Sequence, residues 1–467
     1  MRSFFQEFEK DDDGSIIRCK MHDIVHDVAQ YLSKNECCLI GVQDFREQSR
    51  NALCDKARQL RLMVRGSDTF PIPFCSFKKL RSLLIECDFV GSKLIGKVIP
   101  KLFDELTALK ALGISKAYIE HIPKEIGKLI HLRYLDLSNN QNLKKLPETL
   151  CELYNLQTLK LDRCENLKKL PRGIGKLINL RHLMNCGTDS LRYMAKGIER
   201  LIYLRTLNEF HLNGGDYGGK ACSVECLNNF RHIESLCIKG LIMSAKVIDE
   251  NIAQLKNNGN IRDLRLDFFH ASFNSSNNDE VILEAFEPPP NLQELTIKYY
   301  GGPTMSTLRR MTSLTNLRSI TLSDCRKCLH MPPLGKLPSL ETLSIWKMYS
   351  VFKVGNEFLG VESGEASSSS SSIIYFPKLK TLLFHVMVEW EVWDFGNDNC
   401  TIMPSLRSLY IYRCSKLKGL PKKLLQMAPL QNLEICSCDI LEEVYSKGQG
   451  DKWQDISHIP DIQIGRG

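Results

Sequence analysis

Two histidines, His22 and His26, stand four residues apart in the segment MHDIVHDVAQYLS. On a helix this spacing puts both rings on one face, as in the H-E-x-x-H motif of zinc metallopeptidases, where the glutamate is the general base. Here Asp23 occupies the glutamate position, and its shorter side chain changes the geometry. No third ligand stands nearby, so the pair does not predict a catalytic zinc site.

A second pair of metal-type ligands, Cys325 and Cys328, has the Cys-x-x-Cys spacing. A structural zinc site normally adds a second ligand pair at a defined spacing, and none follows here. The chain also has no G-x-x-x-x-G-K-[ST] motif, whose backbone N–H groups would cradle phosphates. We therefore expect no metal, no cofactor and no catalytic centre in this chain, and a binding protein rather than an enzyme.

The composition narrows the class of partner. A formal net charge of +8 over 467 residues is a mild basic excess, which favours acidic partners weakly and does not require nucleic acid. The sequence has no apolar run of about 18 residues, so no membrane span is expected. The first residues lack the apolar core of a signal peptide. We expect a cytoplasmic chain in which all 18 cysteines are reduced.

A repeat of 24 residues supplies the framework. The segments that start at Leu132, Leu156 and Leu180 can be laid over one another, and each contains or resembles the pattern L-x-x-L-x-L. Further strands are expected to start at Leu109, Leu204, Ile233, Ile261, Leu292, Leu317, Leu340, Leu379 and Leu406. Each repeat buries its apolar edge only by stacking on its neighbours. The predicted fold class is α/β, a leucine-rich-repeat solenoid (horseshoe) with a parallel concave β-sheet.

Several cysteines occur at one repeated place, three residues after the last apolar residue of a strand. They are Cys164, Cys325, Cys414 and Cys438. Asn140 holds the same place after Leu137. In a leucine-rich repeat this position, called the inward slot below, points inward, where Asn or Cys can donate to backbone carbonyls of the turn. We therefore expect these cysteines to be structural thiols.

Four segments are expected along the chain. Residues 1–40 are predicted to be the end of another domain: the end of a helix over 2–8, a tight turn, a short strand and an amphipathic helix. Residues 41–79 are a connector with a strand-like stretch. Residues 80–445 carry the repeats, and 446–467 form a C-terminal tail.

Basic residues gather in three consecutive repeats. They are Arg133, Lys144, Lys145, Lys160, Lys168, Lys169 and Arg181. The two lysine pairs are one repeat apart, so they are expected to stack side by side. Two interpretations stay open: a solvated rim, or an electrostatic dock for an acidic surface.

Aromatic residues occupy outward strand positions in the C-terminal half. Trp346 and Tyr412 hold the same outward position of their strands, and Tyr410 lies one outward position earlier. Exposed aromatic rings on a concave sheet are typical interface anchors, and we predict that these three contact a ligand. The alternative is that the rings pack against one another from repeat to repeat.

The segment CKMHDIVHDVAQYLS, the repeats that follow and the ending WQDISHIPDIQI together resemble plant intracellular nucleotide-binding leucine-rich-repeat (NB-ARC) immune receptors of the coiled-coil class. The resemblance covers essentially the whole chain. Met21, His22 and Asp23 match the family's MHD motif, which closes the winged-helix part of the nucleotide-binding region. The resemblance implies that residues 1–40 are the remnant of a winged helix, N-terminally truncated.

In the family, the motif histidine contacts the β-phosphate of ADP and holds the receptor off, and this role maps to His22. The repeats of these receptors sense pathogen effectors, directly or through a guarded host protein, and restrain the switch. The P-loop and most of the nucleotide-binding region are absent from this sequence. ADP or ATP is therefore expected only in full-length members of the family.

Three hypotheses of function follow. The first is an innate immune receptor fragment that recognises effectors and docks the nucleotide-binding domain of a receptor chain. The second is a truncated gene product whose full-length form is an ADP/ATP switch. The third is a stand-alone leucine-rich-repeat adaptor, for example a specificity subunit of a ubiquitin ligase.

We predict that the purified chain does not bind ADP or ATP tightly. A phosphate site needs several backbone N–H donors, whereas His22 offers a single one. Isothermal titration calorimetry checks this, and a dissociation constant of about one micromolar or better would refute it.

Overall fold

The computed structural model describes residues 4–10, 16–33, 36–41, 56–64, 77, 79–87, 92–213, 219–222, 224–242, 252–268, 278–285, 287–361, 373–396 and 400–465. Most of the predicted connector at 41–79 lies outside these residues. The chain divides into two compact units, Met1–Leu191 and Arg192–Gly467. Among the helices in the described ranges, none combines the length and the apolar character that crossing a bilayer requires.

The first unit contains nine strands and two α-helices in its described part. The strands are β1 (Phe5–Lys10), β2 (Ile16–Met21), β3 (Cys37–Gly41), β4 (Gln59–Val64), β5 (Ser82–Cys87), β6 (Ala111–Gly113), β7 (Tyr134–Asp136), β8 (Thr158–Lys160) and β9 (His182–Met184). The helices are α1 (Asp23–Ser33) and α2 (Ser92–Glu105). Strands β3 to β9 pair in parallel in chain order. Short 3-10 helices over Lys124–Lys128, Glu148–Glu152 and Ile174–Lys176 return the chain to the next strand.

The second unit repeats this plan with longer strands. They are β10 (Thr206–Asn213), β11 (Ser235–Ile242), β12 (Asp263–Asp267), β13 (Glu294–Lys298), β14 (Ser319–Ser323), β15 (Thr342–Trp346), β16 (Lys353–Val354), β17 (Ile374–Tyr375), β18 (Thr381–His385), β19 (Val392–Trp393), β20 (Thr401–Ile402), β21 (Ser408–Tyr412), β22 (Asn432–Cys436) and β23 (Asp461–Ile464). Strands β16 and β19 form one small parallel pair, and β17 and β20 form another. The other strands pair in parallel in chain order.

Helices in the second unit lie between the strands. The α-helices are α3 (Asn278–Ala285), α4 (Asn356–Leu359), α5 (Lys422–Met427), α6 (Asp439–Val444) and α7 (Trp453–Ile456). The 3-10 helices span Ile198–Arg200, Val224–Asn229, Ile252–Asn257 and Ser306–Ser313. Both units therefore have the leucine-rich-repeat fold that the sequence predicts.

The apolar strand residues explain why the repeats stack. In β8, Leu159 is fully buried while its neighbours Thr158 and Lys160 are partly exposed. Its register partners Leu135 and Leu183 are also fully buried, so one leucine from each repeat forms a continuous interior column. Burying a leucine is worth about 1.5–3 kcal/mol, and each column gains that energy only when the repeats are adjacent.

The turn after each strand uses the left-handed region of the backbone. The second residue after the last inward strand position has a positive φ in repeat after repeat: Asn139, Arg163, Gly187, Tyr299, Asp324, Lys347, Val386, Arg413 and Ser437. This conformation costs a non-glycine residue roughly 1–2 kcal/mol. The turn is therefore kept by its surroundings rather than by local preference.

The inward slot follows this turn and is buried in every repeat of this kind. Its occupants are Asn140, Cys164, Thr188, Tyr300, Cys325, Met348, Met387, Cys414 and Cys438. Asn140 donates to the carbonyls of Ile114 (2.7 Å) and Leu137 (2.8 Å). Its Oδ1 accepts from the backbone N–H groups of Ala117 (3.0 Å) and Ile119 (3.2 Å). One amide thus satisfies four buried backbone groups.

The cysteines in the slot make simpler contacts. The thiol of Cys164 donates to the carbonyl of Leu137 at 3.2 Å, and that of Cys438 donates to the carbonyl of Ile411 at 3.5 Å. In each case the acceptor belongs to the preceding repeat. The predicted inward, structural role of these side chains is confirmed.

Three sequence predictions need correction or extension. Residues 2–8 were expected to end a helix, but β1 begins at Phe5 and pairs antiparallel with β2, Phe5 opposite Met21. That antiparallel pairing with β2 overrides the local helical pattern. In the first unit the parallel sheet already includes β3 and β4, before the first repeat expected at Leu80. In the second unit β23, from the predicted C-terminal tail, pairs in parallel with β22.

The expectation that all cysteines are reduced is wrong for one pair. Cys222 and Cys226 are joined by a disulfide, with Cα atoms 6.4 Å apart. Cys226 lies in the 3-10 helix Val224–Asn229, and Cys222 lies just before it. This local turn brings the two sulfur atoms together, although their spacing of four residues matched no motif considered in the sequence.

We predict that Asn140→Ala destabilises the chain by roughly 3 kcal/mol or more, because four buried backbone groups lose their partner. Chemical denaturation of both proteins measures the difference. Asn155→Ala is the matched control: Asn155 makes one exposed bond, to the carbonyl of Ile130 at 2.9 Å, and its loss should cost below about 1 kcal/mol. Equal losses for the two variants would contradict this assignment.

Candidate recognition surface

The outward positions of the second unit's strands form straight rows across the sheet. One row consists of the last outward residue of each strand. In it Lys298 lies opposite Ser323, and Ser323 lies opposite Trp346. The row continues through His385 and Tyr412. The parallel register confirms that Trp346 and Tyr412 share one row. It also adds His385, which the sequence analysis did not select.

The rings of this row contact one another. The ring centroids of Trp346 and His385 are 4.5 Å apart and tilted by 39°. His385 and Tyr412 are 6.0 Å apart, and Tyr410 stacks on Tyr412 at 6.3 Å with 13° between the planes. Each ring is partly exposed, and the strand residue before it is buried. The rings therefore form one patch, the aromatic patch, made of these four side chains.

Short hydroxyl side chains lie beside the aromatic patch. The first outward position carries Ser319, Thr342, Thr381 and Ser408 in register. At the middle position, Thr321 is opposite Ser344. The middle position continues through Leu383, which lies opposite Ser344 and Tyr410, so the rings are flanked by one leucine and by short hydroxyl side chains. Hydroxyl groups can both donate and accept, so they suit a polar partner backbone.

The electrostatic surroundings hold His385 in its neutral form. Burial, Arg413 and Lys347 all lower the pKa of His385 from its ordinary value of 6.5. Its Nδ1 atom is buried and has no hydrogen-bond partner among the residues that the structure describes. Burial and the hydrogen bond to Glu434 raise the pKa of Tyr412, so its hydroxyl stays protonated. The patch thus offers neutral rings, with Lys347 and Arg413 near His385 and Glu434 beside Tyr412.

A buried charged cluster lies at the other end of this unit, and sequence analysis missed it. Glu209 and His211 are 5% and 6% exposed, with Oε2 and Nε2 3.3 Å apart. Lys239 places its Nζ 2.9 Å from Glu209 Oε1. Burial first, and then Asp267 and Glu209, raise the pKa of the neighbouring Cys237 to about 12. A register shift between Leu207 and Glu209 brings these residues onto the outward face. The sequence carries no signal for such a bulge.

The predicted basic cluster of the first unit lies on two parts of the repeat. Lys160 is in β8, with its Nζ 5.9 Å from the centroid of the Tyr134 ring. The predicted stacking of the lysine pairs is present, since the N–H of Lys168 donates to the carbonyl of Lys144 at 3.2 Å.

The charges of this cluster are partly balanced. Lys144 Nζ is 3.6 Å from Glu120 Oε2. Exposed side chains from both parts of the repeat are Arg133, Lys144, Lys145, Lys168, Lys169 and Arg181. The structure thus leaves these residues accessible, and their docking role stays a prediction.

The motif Met21, His22 and Asp23 lies at the junction of β2 and α1. The N–H of His22 donates to the carbonyl of Phe4 at 3.0 Å, and the carbonyl of His22 accepts from the N–H of His26 at 2.9 Å. The His22 side chain is exposed. The winged-helix assignment and the nucleotide contact of His22 remain predictions.

The Cys325 and Cys328 pair is buried and structural. Both side chains are 0% exposed. The thiol of Cys328 donates to the carbonyl of Gly302 at 3.3 Å. Burial, as the main cause, raises the pKa of Cys325 to about 12, so the thiol form is favoured.

Comparison with known proteins adds to this geometry. Residues 56–268 match the model of a leucine-rich repeat region, and residues 224–348 match the model of R13L1/DRL21 leucine-rich repeats. A disease resistance protein of Arabidopsis thaliana is 32% identical over 98% of this chain and 32% of the relative. The RPP13-like protein 1 of the same plant is 33% identical over 90% of this chain and 40% of the relative.

The RGA1 disease resistance protein of Solanum bulbocastanum is 33% identical over 85% of this chain and 34% of the relative. A leucine-rich-repeat protein of Leptospira interrogans superimposes with a TM-score of 0.45 and 19% identity, over 85% of this chain and 93% of that one.

The fold and the repeats define this chain as a leucine-rich-repeat protein. Over most of its length it is similar to the leucine-rich-repeat disease resistance proteins of plants. The chain spans about a third of the length of these relatives.

We predict that the neutral ring of His385 makes stability depend on pH. The pKa of His385 is lower in the folded state than in the unfolded chain, so the unfolded chain binds more protons. The free energy of unfolding therefore decreases as the pH falls below 6.5. Thermal unfolding between about pH 8 and about pH 5 measures the slope. His385→Phe keeps an aromatic ring without titration, so it should lose stability less steeply than the natural protein. Identical slopes would contradict the prediction.

Proposed function

We propose that this chain is a recognition module of plant defence that binds a pathogen effector or a guarded host protein through the aromatic patch. One observation supports the proposal: four partly exposed rings occupy neighbouring outward positions. The fold does not require aromatic side chains at these positions. Large rigid rings bury much area at a low entropic cost. Leucine-rich-repeat units present extended surfaces of this kind to partners.

The border of the patch favours a particular partner chemistry. Lys347 and Arg413 lie close enough to His385 to lower its pKa. Charges near a partly buried site select partners of opposite sign. Lys347 Nζ already lies 3.6 Å from Asp324 Oδ2, so the partner we propose offers an apolar side chain to the rings and a carboxylate to Arg413.

The first unit has a separate proposed role. Its exposed basic residues, among them Lys144 and Lys168, would dock the acidic surface of a nucleotide-binding domain on a receptor chain. Such docking would restrain the receptor until the aromatic patch binds its target. We propose a binding role without catalysis in the cytoplasm, and nucleotide bound only where a complete nucleotide-binding domain is present.

There are two alternatives to the proposed defence role of this chain. A truncated gene product would act only in its longer, nucleotide-binding form. A stand-alone adaptor would use the same aromatic patch for another partner. The similarity to disease resistance proteins, which extends over 98% of this chain, favours the defence role over the adaptor.

Replacing Trp346, Tyr410 or Tyr412 by Ala should weaken recognition by about 1–3 kcal/mol and leave the thermal melt nearly unchanged. The physical reason is that an anchor ring contributes area to the interface rather than to the interior. Recognition is measured as the affinity of the purified full chain for each member of a panel of effectors and host proteins, by calorimetry. The melt is measured on the same purified variants.

Two control variants calibrate the test. Trp390 is fully buried, so Trp390→Ala should lower the melt strongly. Thr296 lies at a middle outward position away from the rings, and Thr296→Ala should change neither readout. If the rings pack only for stability, the three variants would instead show a lowered melt with intact recognition, and the proposal would be wrong.

A further inference from the structure

Three metal-type ligands meet in the second unit, outside the aromatic patch. Glu199 Oε2 lies 3.5 Å from the sulfur of Cys222 and 3.9 Å from the sulfur of Cys226. All three donor atoms lie within 4.8 Å of one another. Cys222 is buried, whereas Glu199 and Cys226 are partly exposed, so solvent reaches the cluster from one side.

The backbone holds this cluster in place. Glu199 lies in the 3-10 helix Ile198–Arg200, and its Oε2 accepts from the N–H of Gly197 at 2.7 Å. Two hydrogen bonds join this turn to the segment that carries the cysteines. The N–H of Cys222 donates to the carbonyl of Met194 at 2.8 Å, and the N–H of Lys196 donates to the carbonyl of Lys220 at 2.9 Å. The ligands are therefore positioned by main-chain contacts that do not depend on a bound ion.

We propose that, when the two cysteines are reduced, Glu199, Cys222 and Cys226 bind one divalent cation that prefers thiolates, with Zn²⁺ as the principal candidate. In a tetrahedral zinc site with Zn–S bonds of about 2.3 Å and Zn–O bonds of about 2.1 Å, a sulfur and an oxygen ligand are roughly 3.6 Å apart. The distances from Glu199 Oε2 to the two sulfurs, 3.5 Å and 3.9 Å, are close to that value. A water molecule would complete the four ligands from the exposed side.

The disulfide and the metal site are alternative states of the same pair. Reduction by a thiol reductant transfers two electrons and two protons to the disulfide, gives two thiols, and converts two reductant thiols to their disulfide. Binding of the cation then releases the two thiol protons to solvent. For this the sulfurs must separate to roughly 3.8 Å, the sulfur–sulfur edge of a tetrahedral site. The spacing C-x3-C lies within the range used by zinc ligands.

The hydrogen bond from Gly197 to Glu199 Oε2 would orient the carboxylate ligand, a supporting contact common in zinc sites. The site would join the turn at 194–200 to the segment at 220–229. It lies at the 3-10 helices, away from the strand positions of the aromatic patch. We therefore expect its occupancy to affect stability and not the chemistry of recognition.

The test is a titration of the purified full chain with Co²⁺ in the presence of a phosphine reductant. Thiol alkylation and mass spectrometry first establish that Cys222 and Cys226 are both reduced. The natural protein should take up one Co²⁺ per chain with a thiolate-to-cobalt absorption band, and Zn²⁺ should remove the band by displacement. Zn²⁺ should also raise the melting temperature of the reduced chain.

Three variants locate the site. Cys222→Ser with Cys226→Ser should abolish the band and the stabilisation by Zn²⁺. Glu199→Gln keeps the acceptor for Gly197 but loses the charge, and it should weaken Zn²⁺ binding about tenfold or more, since even supporting residues cost that much. Cys186→Ser removes an exposed thiol elsewhere and should behave as the natural protein.

Four results would overturn the proposal. They are a cysteine pair that stays joined in excess reductant, a reduced chain with no saturable band, a double variant that keeps the band, and Glu199→Gln with unchanged affinity.

Discussion

The structure depends on satisfying backbone groups in the turn that follows each strand. That turn passes through the left-handed region at residues such as Asn139 and Arg163, and it leaves carbonyl groups pointing into the interior. Water cannot reach them, so each must find a partner inside the repeat stack. The inward slot supplies it, through the amide of Asn140 or through a thiol such as that of Cys164. Met348 and Met387 lack a donor and fill the slot with apolar bulk in their repeats, so what all repeats share is a buried side chain in the slot.

This constraint divides the residues of a repeat into two classes. The inward strand positions and the slot are required by the interior, and they are buried in both units. The outward strand positions are not constrained by the interior, and they change character along the second unit from charged to hydroxyl to aromatic. A binding surface can therefore vary without cost to the fold. The aromatic patch and the basic residues of the first unit both use this freedom.

The sequence predicts the repeated part of the fold well, because one period governs it. The strands expected from Leu292 and Leu406 begin at Glu294 and Ser408, two residues later, since the first leucine precedes the hydrogen-bonded strand. The Trp346 and Tyr412 positions follow from the same alignment. The same alignment places His385, in the segment TLLFH, at this outward position. A histidine there does not by itself indicate a binding role, so the sequence provided no reason to select it.

Features that depend on pairing between distant segments could not be predicted in this way. Strand β1 was expected to be helical, because its partner β2 is not visible in its own pattern. The bulge before Glu209 reverses which side chains face outward. The approach of Glu199 to Cys222 joins residues of successive repeats, in a region where the period is irregular. Only the three-dimensional arrangement shows these relations.

The most direct test of this account is saturation mutagenesis of one complete strand and turn, residues 408–414, with two readouts on every variant: abundance of folded chain and recognition. We predict that substitutions at Leu409, Ile411 and Cys414 reduce the abundance of folded chain. Recognition should then fall only in proportion to that abundance. Substitutions at Tyr410 and Tyr412 should reduce recognition while abundance stays normal. If the outward tyrosines reduced abundance as strongly as the inward positions, the separation of fold from binding surface would be contradicted.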